Sequence, residues 1–319
     1  MLFRSRAGAL TRWFRGWNPD LQRALRDHAL QGADLIHNHG LWMWPNAYAR
    51  KVSVAAGIPL VISPRGMLEA WSLGRSRLRK FVAWRLFESQ NLAAARLFHA
   101  TSVTEAESLR ALGFRQPVAV VPNGVDLPEL EMLPDRSGIE ARYPALRDRR
   151  WLVFMSRLHE KKGVMELLRA WSELAGRFPD WHLILAGPDL DGFGVRLKGE
   201  IEANGLGHCV TVPGALEGSA KAAVLGGADV FVLPTFSENF GIVVAEAMAH
   251  AVPVITTHGA PWQVLETERC GWWIELGHER LVSVLEEAMQ LGIDDRRAMG
   301  QRGRRVVERD FSWARIDRK

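Results

Sequence analysis

The sequence predicts an α/β protein with two domains, each built on a parallel β-sheet that has helices on both faces. The first observation is the rhythm of the chain, in which short apolar runs that suit buried strands alternate with helical segments of about 10–15 residues. The second is that polar side chains follow several predicted strands, which is where ligands bind in parallel sheets. The third is size, since 319 residues of which 47% are hydrophobic suffice for two domains.

Four strands are predicted in the first half of the chain, separated by helices. The first helix has a clear start, because Asn18 can cap it and Pro19 suits its first turn. The predicted strands are 34–40, 59–63, 97–100 and 118–121. The predicted helices are 18–30, 45–56, 76–96 and a segment that begins after Thr101 and Ser102.

The second half repeats the alternation more regularly. It follows the segment 127–149, which is rich in proline, charge and short breaks and is predicted to be a linker. The elements predicted after it are a strand at 151–155, a helix at 164–177, a strand at 181–186 and further helix–strand units at 194–212, 216–233 and 240–256.

Composition narrows the class of protein. The net charge of +5 favours anionic partners such as nucleotide phosphates or an acidic membrane surface. Cys209 and Cys270 match no zinc or redox spacing, so a reducing compartment is favoured. The chain has no apolar run of about 18 residues that could span a membrane, and it lacks the apolar segment of a secretory signal peptide. We therefore expect a cytoplasmic protein, which can also work at the inner face of the cytoplasmic membrane.

Two basic, aromatic segments are candidates for contact with an anionic membrane. Residues 1–17 have the spacing of a surface helix, although a frayed terminus or a helix docked on the core gives the same pattern. The start of the helix at 76–96 combines Arg77 and Lys80 with Phe81, and suits a solvated face, or a surface for phospholipid or a pyrophosphate-linked acceptor. Nucleic acid is not expected, because no known binding module is present.

Two carboxylates near one predicted helix start are the strongest candidates for ligand contacts. Glu238 lies on the loop before the helix, and Glu246 lies about a turn and a half inside it, among apolar residues. A buried carboxylate needs donors, which a neighbouring Arg or Lys, or the paired hydroxyls of a sugar or ribose, can supply. The backbone N–H groups of Asn239, Phe240 and Gly241 can also bind phosphate or hydroxyl oxygens. The alternative is one helix-terminal glutamate and one salt-bridged core glutamate.

Arg157 and Lys162 lie five residues apart on the loop between a predicted strand and its helix. Two cations in that place can neutralise a diphosphate without a metal ion, although either alone suits an ordinary surface position. Gly187 follows the next strand, and Gly214 lies in a loop that we expect to edge a base pocket.

Other polar residues at predicted strand ends are weaker candidates. His37 and His39 would face the same side of a strand, but no third ligand lies close by, so His39 is expected to contact a ligand or to pack. Arg65 is a candidate to bind the acceptor or a phosphate, or is an ordinary surface arginine. Asn123, which begins an Asn-Gly turn, is also a candidate to bind the acceptor or a phosphate. The segment 189–191 has the spacing of a metal-binding aspartate pair but is expected to be loop. We expect no metal site.

Four segments in order resemble the family 4 retaining glycosyltransferases of GT-B fold: DLIHNHGLW, VVPNGVD, SRLHEKKG and SENFGIVVAEAMAHAVPVI. Glu238 and Glu246, eight residues apart, are similar to the Glu-x7-Glu motif of that family. HGLW followed by SPRGML resembles bacterial members that build exopolysaccharide or lipopolysaccharide. The resemblance extends from about Asn18 to Phe311, and it implies two Rossmann-like domains that face each other across a cleft.

The resemblance also implies roles for single residues. Glu246 would bind the ribose hydroxyls of a UDP-, GDP- or other nucleotide sugar, and Glu238 would face the hydroxyls of the donor sugar. Arg157 and Lys162 would bind the diphosphate as it leaves, and His39 matches the histidine near the donor sugar. The implied reaction is transfer with retention, by same-face attack, to a glycan or polyprenyl-diphosphate-linked acceptor. It would need no cofactor and no metal.

The sequence departs from the family pattern at both ends. Only 33 residues precede DLIHNHG, and they lack the first strand and the Gly-Gly loop of the family. We therefore expect a reduced N-terminal acceptor-side domain with about four strands over 1–134. A nucleotide-sugar-binding domain over 145–307 and the start of a shortened crossover tail over 308–319 would follow. The alternative function is a truncated, weakly active or inactive nucleotide-sugar-binding protein. An epimerase or phosphorylase on a similar scaffold is less favoured, because no pyridoxal-lysine motif is present.

Overall fold

The structure, a computed structural model, describes residues 16–190 and 192–317. Contacts among these residues divide the chain into two compact units, which meet in sequence between Pro122 and Asn123. The predicted membrane-surface segment at 1–17 lies almost wholly outside the described residues, and so does Asp191 of the aspartate pair.

The first unit contains a parallel sheet with four strands in its described part, as the sequence predicts. Strands that are consecutive in the chain are neighbours in the sheet. Strands β1 to β4 are Ile36–His39, Leu60–Ser63, Leu97–Ala100 and Val118–Val120. Helices α1 to α6 are Pro19–Leu30, Trp44–Ala56, Ala70–Gly74, Arg77–Ala83, Ser89–Ala93 and Val103–Ala111.

Side-chain caps begin two helices of this unit, α1 and α6. The Asn18 side chain accepts hydrogen bonds from the backbone N–H groups of Asp20 and Leu21, at 3.0 and 3.2 Å. The Ser102 hydroxyl accepts from the backbone N–H of Glu105 at 3.2 Å. The cap of α1 is therefore confirmed.

The helix predicted over 76–96 is continuous in the structure from Arg77 to Ala93, but it contains a π-helical turn. A π-helical turn at Trp84–Glu88 separates α4 from α5. This wider turn places both Phe87 and Glu88 in the interior, and the Glu88 carboxylate accepts a hydrogen bond from the backbone N–H of Trp42 at 2.7 Å. Burial raises the pKa of Glu88 to about 7, against the effect of that hydrogen bond.

The second unit contains six parallel strands among the described residues. Strands β5 to β10 are Arg150–Met155, Trp181–Ala186, Val210–Gly214, Val230–Leu233, Val254–Thr257 and Gly271–Ile274. Helices α7 to α15 are Ser137–Arg142, Val164–Leu174, Phe193–Ala203, Gly218–Gly226, Ile242–Ala249, Val264–Thr267, His278–Gln290, Ile293–Asp310 and Trp313–Ile316. Short 3-10 turns are Leu130–Met132, Pro144–Leu146, Glu160–Lys162 and Leu206–His208.

The strands of this sheet lie in the order β10-β9-β8-β5-β6-β7. From β5 the chain first adds β6 and β7 on one side, and then adds β8, β9 and β10 on the other side, so the order of connection reverses beside β5. Leu152 of β5 pairs with Val230 of β8 on one side and with Leu183 of β6 on the other. The loops after β5, β6 and β8 therefore leave the same edge of the sheet side by side. Such a reversal is where parallel sheets bind ligands.

The four central strands β5, β6, β8 and β9 are almost wholly buried, because helices cover both faces of the sheet. Strands β5, β6 and β8 are almost continuous apolar runs, as expected for a parallel sheet. Trp151, Trp171 and Trp181 are among the largest fully buried side chains. Strand β10 and the helices after it are not among the predicted elements. Its first residue, Gly271, lies so close to β9 that a Cβ there would be 2.2 Å from the Val254 carbonyl oxygen.

The segment 127–149 is not a linker, so that prediction is wrong. Leu146 is fully buried, and the Arg136 guanidinium stacks over the Trp151 ring at 4.4 Å and pairs with Asp229 at 2.8 Å. Just before this segment, the backbone N–H of Val125 donates to the carbonyl of Phe311, directly after α14, at 2.9 Å.

Two further features bear on sequence predictions. Asp189 caps α9, since its carboxylate accepts from the backbone N–H groups of Phe193 and Gly194 at 2.8 and 3.0 Å. No helix of the described chain is long and apolar enough to cross a lipid bilayer.

His182 makes the stability of the second unit depend on pH. It is 1% exposed on β6, and burial, together with the charge of Arg149, lowers its pKa from 6.5 to about 4. Between these two values the unfolded chain binds a proton that the folded chain does not, so the free energy of unfolding falls as pH falls from 6.5 to about 4. His182→Gln should weaken this acid-side loss by up to about 3 kcal/mol.

Urea unfolding of the wild type and His182→Gln across this pH range measures the difference. His258→Gln, which changes an exposed histidine of the same unit, is the control and should follow the wild type. Equal pH dependence in all three proteins would contradict the assignment.

Candidate functional site

A cavity of about 380 Å³ lies at the carboxyl edge of the six-stranded sheet. The loops after β5, β6 and β7 line it, together with α10 and the loop and helix that follow β8. Its charged and glycine lining residues are Arg157, Lys162, Gly187, Glu217, Lys221, Glu238, Gly241 and Glu246. Most of the predicted ligand contacts of the second half are therefore brought into one space.

An ion pair joins the loop after β5 to the loop after β8. The Lys162 ammonium donates to Oε1 of Glu238, and the two side chains are only 8% and 13% exposed. Gly163 permits this contact, because its φ of +69° is left-handed and a Cβ there would lie 1.9 Å from the Pro234 carbonyl oxygen. The two loops thus touch through their backbones as well as through the charges.

A second ion pair holds the carboxylate of the following helix. Lys221 on α10 donates to Oε1 of Glu246 on α11 at 2.7 Å, and both side chains are half-buried. This is the donor that the apolar surroundings of Glu246 require. Sequence reasoning missed Lys221, because a single lysine in the segment GSAKAAVLG carries no signal of its partner.

The loop after β9 makes hydrogen bonds to the loop that carries Glu238. The backbone N–H of Glu238 donates to the Gly259 carbonyl at 2.6 Å, and the Trp262 indole N–H donates to the Phe240 carbonyl at 2.5 Å. The Phe240 ring is buried and packs against Trp262 with a centroid distance of 5.2 Å. Neither Asn239 nor Phe240 lines the cavity among the described residues. Sequence reasoning missed Gly259 and Trp262, which have no ligand-like pattern.

The remaining predicted residues of this half take different positions. Arg157 is exposed at the cavity. Gly187 lines the cavity, and a Cβ there would lie 1.7 Å from the Ser156 carbonyl oxygen, so only glycine fits between the two strand ends. Gly214 accepts from the Gly187 N–H at 2.8 Å and lies outside the lining, although the neighbouring Ala215 contributes to it.

In the first unit, two predicted residues meet at the carboxyl edge of the four-stranded sheet. Arg65 places Nε and Nη2 at 3.2 and 3.0 Å from Nδ1 of His39. The ring of His37 lies 4.1 Å from that of His39, centroid to centroid. Burial lowers the pKa of His39, and Arg65 lowers it further; burial and His39 lower the pKa of His37 to about 4. Both rings are therefore neutral near pH 7.

Asn123 begins the second unit and does not line the cavity. Within 16–190 and 192–317, no group of three or more His, Cys, Asp or Glu side chains is placed to hold a metal ion.

Comparison with known proteins places this site in a family. The model of Glycosyl transferases group 1 matches residues 136–306, which is more than half of the chain. The chain belongs to this family. The model of Glycosyltransferase Family 4 matches residues 4–129, so the predicted membership of family 4, group 1 is confirmed.

Curated members of the family show what this group 1 chain is similar to. It is 26% identical to GDP-mannose:cellobiosyl-diphosphopolyprenol alpha-mannosyltransferase of Xanthomonas campestris, over 83% of this chain and 66% of that protein. It is 29% identical to the putative colanic acid biosynthesis glycosyltransferase WcaL of Escherichia coli, over 64% of this chain and 50% of that protein. The chain thus spans about half to two thirds of the length of these relatives.

Solved structures confirm the predicted GT-B fold. HepE from Anabaena, in complex with UDP and glucose, has a TM-score of 0.79 at 20% identity, over 98% of this chain and 81% of HepE. WaaG, a glycosyltransferase involved in lipopolysaccharide biosynthesis, has a TM-score of 0.73 at 16% identity, over 99% of this chain and 83% of WaaG.

The Lys162–Glu238 ion pair should show strong coupling in stability measurements. Lys162→Met leaves the nearly buried Glu238 carboxylate without its cation, which should lower the free energy of unfolding by about 3 kcal/mol. Adding Glu238→Gln removes the unpaired charge and should recover most of that loss. Urea unfolding of the wild type, both single variants and the double variant gives the coupling free energy.

The exposed pair of Arg177 and Glu286 on the same unit is the matched control, and the same cycle there should give a much smaller coupling. Additive effects of the Lys162 and Glu238 substitutions would show that the pair is not desolvated as described.

Proposed function

We propose that this chain is a retaining glycosyltransferase that acts on a nucleotide-diphospho-sugar. It would transfer the sugar to a glycan or lipid-linked acceptor in the synthesis of cell-surface polysaccharide. The observation that carries the proposal is the cavity of the second unit, in which Arg157, Lys162 and Lys221 line one space together with Glu238 and Glu246.

The charges of the cavity suit the parts of a nucleotide sugar. Lys221 occupies one oxygen of Glu246, and the second can accept hydrogen bonds from the vicinal hydroxyls of a ribose. Lys162 holds Glu238 in the same way, which leaves the second oxygen for a sugar hydroxyl. We assign the diphosphate to Arg157 and Lys162, because cations placed where negative charge develops stabilise a leaving group. With that charge carried by protein cations, the proposed reaction uses no cofactor or metal.

The names of relatives support the donor and acceptor classes. The Xanthomonas relative is named for GDP-mannose and a diphosphopolyprenol-linked acceptor, and the HepE structure contains UDP and glucose. We therefore propose a UDP-, GDP- or other nucleotide sugar as donor. For retention we propose attack on the face that the diphosphate leaves, with a leaving phosphate oxygen taking the proton of the acceptor hydroxyl.

A lipid-linked acceptor would bring the chain to a membrane surface. Helix α4 and the turn after it expose Leu78, Phe81 and Leu86, while Arg77 and Arg79 lie on the same short stretch. Apolar side chains flanked by arginines suit peripheral contact with anionic lipid, and we propose this surface for that contact.

Substitution of Glu246 tests the donor site. Glu246→Gln keeps the shape but loses the charge that strengthens hydrogen bonds from ribose hydroxyls, so the Kd for UDP or GDP should rise about 10–100-fold. Calorimetry with UDP, GDP, UDP-glucose and GDP-mannose measures binding, and release of nucleoside diphosphate in the presence of lipid-linked acceptors measures transfer.

Glu279→Gln, which changes an exposed glutamate on the same unit, is the control and should bind like the wild type. Equal binding by Glu246→Gln and the wild type would contradict the assignment of the cavity. Donor binding that depends on Glu246, with no transfer to any acceptor, would instead identify a nucleotide-sugar-binding protein.

A further inference from the structure

A chain of hydrogen bonds crosses the carboxyl edge of the four-stranded sheet, and each strand supplies one group. His37 at β1 places Nε2 at 2.7 Å from the Ser63 hydroxyl at the end of β2. The same hydroxyl lies 2.8 Å from Nδ1 of His99 on β3. Nε2 of His99 lies 2.9 Å from the carbonyl oxygen of Val121, directly after β4.

The last group of this chain fixes the direction of every hydrogen bond in it. A carbonyl oxygen only accepts, so Nε2 of His99 carries a proton and donates to Val121. In neutral His99, Nδ1 is then bare and accepts the Ser63 proton. The Ser63 oxygen in turn accepts from Nε2–H of His37. The neutral ring of His37 is left with a bare Nδ1.

Arg65 fixes the neighbouring ring in the same manner. A guanidinium only donates, and two of its nitrogens lie at 3.0 and 3.2 Å from Nδ1 of His39. Nδ1 of His39 is therefore an acceptor, and the ring proton lies on Nε2. The part of the chain that the structure describes gives no hydrogen-bond partner to Nε2 of His39 or to Nδ1 of His37.

The turn that carries Arg65 is itself anchored. Glu105 is buried on α6, and its carboxylate accepts from the backbone N–H groups of Gly66 and Thr101 at 2.7 and 2.8 Å. Arg65 has a φ of +55°, a left-handed conformation that a non-glycine residue adopts only where its surroundings hold it. The contact between Arg65 and His39 thus rests on a buried acid.

We propose that Arg65 and the Ser63–His99 pair are positioning residues that give His37 and His39 fixed, opposite hydrogen-bonding roles. His39 presents an N–H donor and His37 presents a bare nitrogen, on partly exposed rings 4.1 Å apart. A sugar hydroxyl donates and accepts at once, so it matches both groups. The proposal rests on the proposed function, because the hydroxyl is that of a sugar substrate.

The neutrality of the pair determines the class of ligand. Two imidazolium rings at this separation, beside the Arg65 guanidinium, would repel one another, which agrees with the lowered pKa of both rings. A neutral donor and acceptor offer a hydroxyl two hydrogen bonds but offer a phosphate oxygen only one. Arg65, which the sequence made a phosphate candidate, therefore has the role of orienting His39.

Nitrogen-15 NMR of the full chain labelled at histidine tests the positioning directly. Long-range proton–nitrogen correlation distinguishes protonated from bare ring nitrogens, and His37→Gln and His39→Gln assign the signals. Above neutral pH, both rings should be protonated on Nε2 alone. In Arg65→Met, His39 should become a mixture of tautomers and its pKa should rise toward 6.5, whereas Arg65→Lys, which keeps a donor, should retain the wild-type signal.

Arg23→Met removes an exposed arginine elsewhere in the first unit and is the matched control. Ser63→Ala should randomise the His37 tautomer while leaving His39 unchanged. A wild-type His39 protonated on Nδ1, or a tautomer unaffected by Arg65→Met, would overturn the positioning roles.

Ligand titration of the same sample tests the hydroxyl. UDP-glucose or GDP-mannose should shift the Nε2–H signal of His39, and UDP or GDP alone should not. An equal shift with the nucleoside diphosphate would overturn hydroxyl recognition in favour of phosphate. Absence of any shift at His39 with either nucleotide sugar would also overturn it. Loss of all nucleotide binding, with the tautomers intact, would instead locate the failure in the proposed function.

Discussion

The ion pair between Lys162 and Glu238 is the interaction on which the candidate site depends. It exists because β5 and β8 are hydrogen-bonded neighbours, although about 75 residues separate them in the chain. Their parallel pairing brings the two following loops together, and Gly163 lets the backbones approach. Because both side chains are nearly buried, each charge stabilises the other. The charge pair therefore fixes the positions of the cationic loop and the acidic loop together.

A second ion pair, between Lys221 and Glu246, also holds a carboxylate in place. The two ion pairs organise the cavity before a ligand enters. Each glutamate has one oxygen held by a lysine, which orients the other oxygen without a rearrangement on binding. A preorganised site loses less conformational entropy on binding than one whose side chains must first be ordered. The hydrogen bond from the Glu238 backbone N–H to the Gly259 carbonyl also preorganises the site, because it restrains the backbone that carries Glu238.

Predictions from sequence succeeded where the signal is local. Apolar runs located most of the strands, and the positions of Glu238 at a helix entry and of Glu246 among apolar helical residues selected two side chains that line the cavity. Predictions failed where the partner is distant in sequence. Lys221 is an ordinary helical lysine until the fold brings it to Glu246, and 127–149 resembles a linker until Leu146 is seen to be buried. The π turn before α5, which buries Glu88, is not encoded by helical periodicity.

The pairing of both lysines with both glutamates also bears on competition among cellular anions. Arg157, Lys162 and Lys221 balance Glu217, Glu238 and Glu246, so the charged side chains that line the cavity have no net charge. A weak field attracts a small anion such as orthophosphate only weakly. A ligand gains most when it offers hydroxyls to the carboxylates and phosphates to the cations in the same molecule. Internal neutralisation therefore favours bifunctional ligands over simple anions.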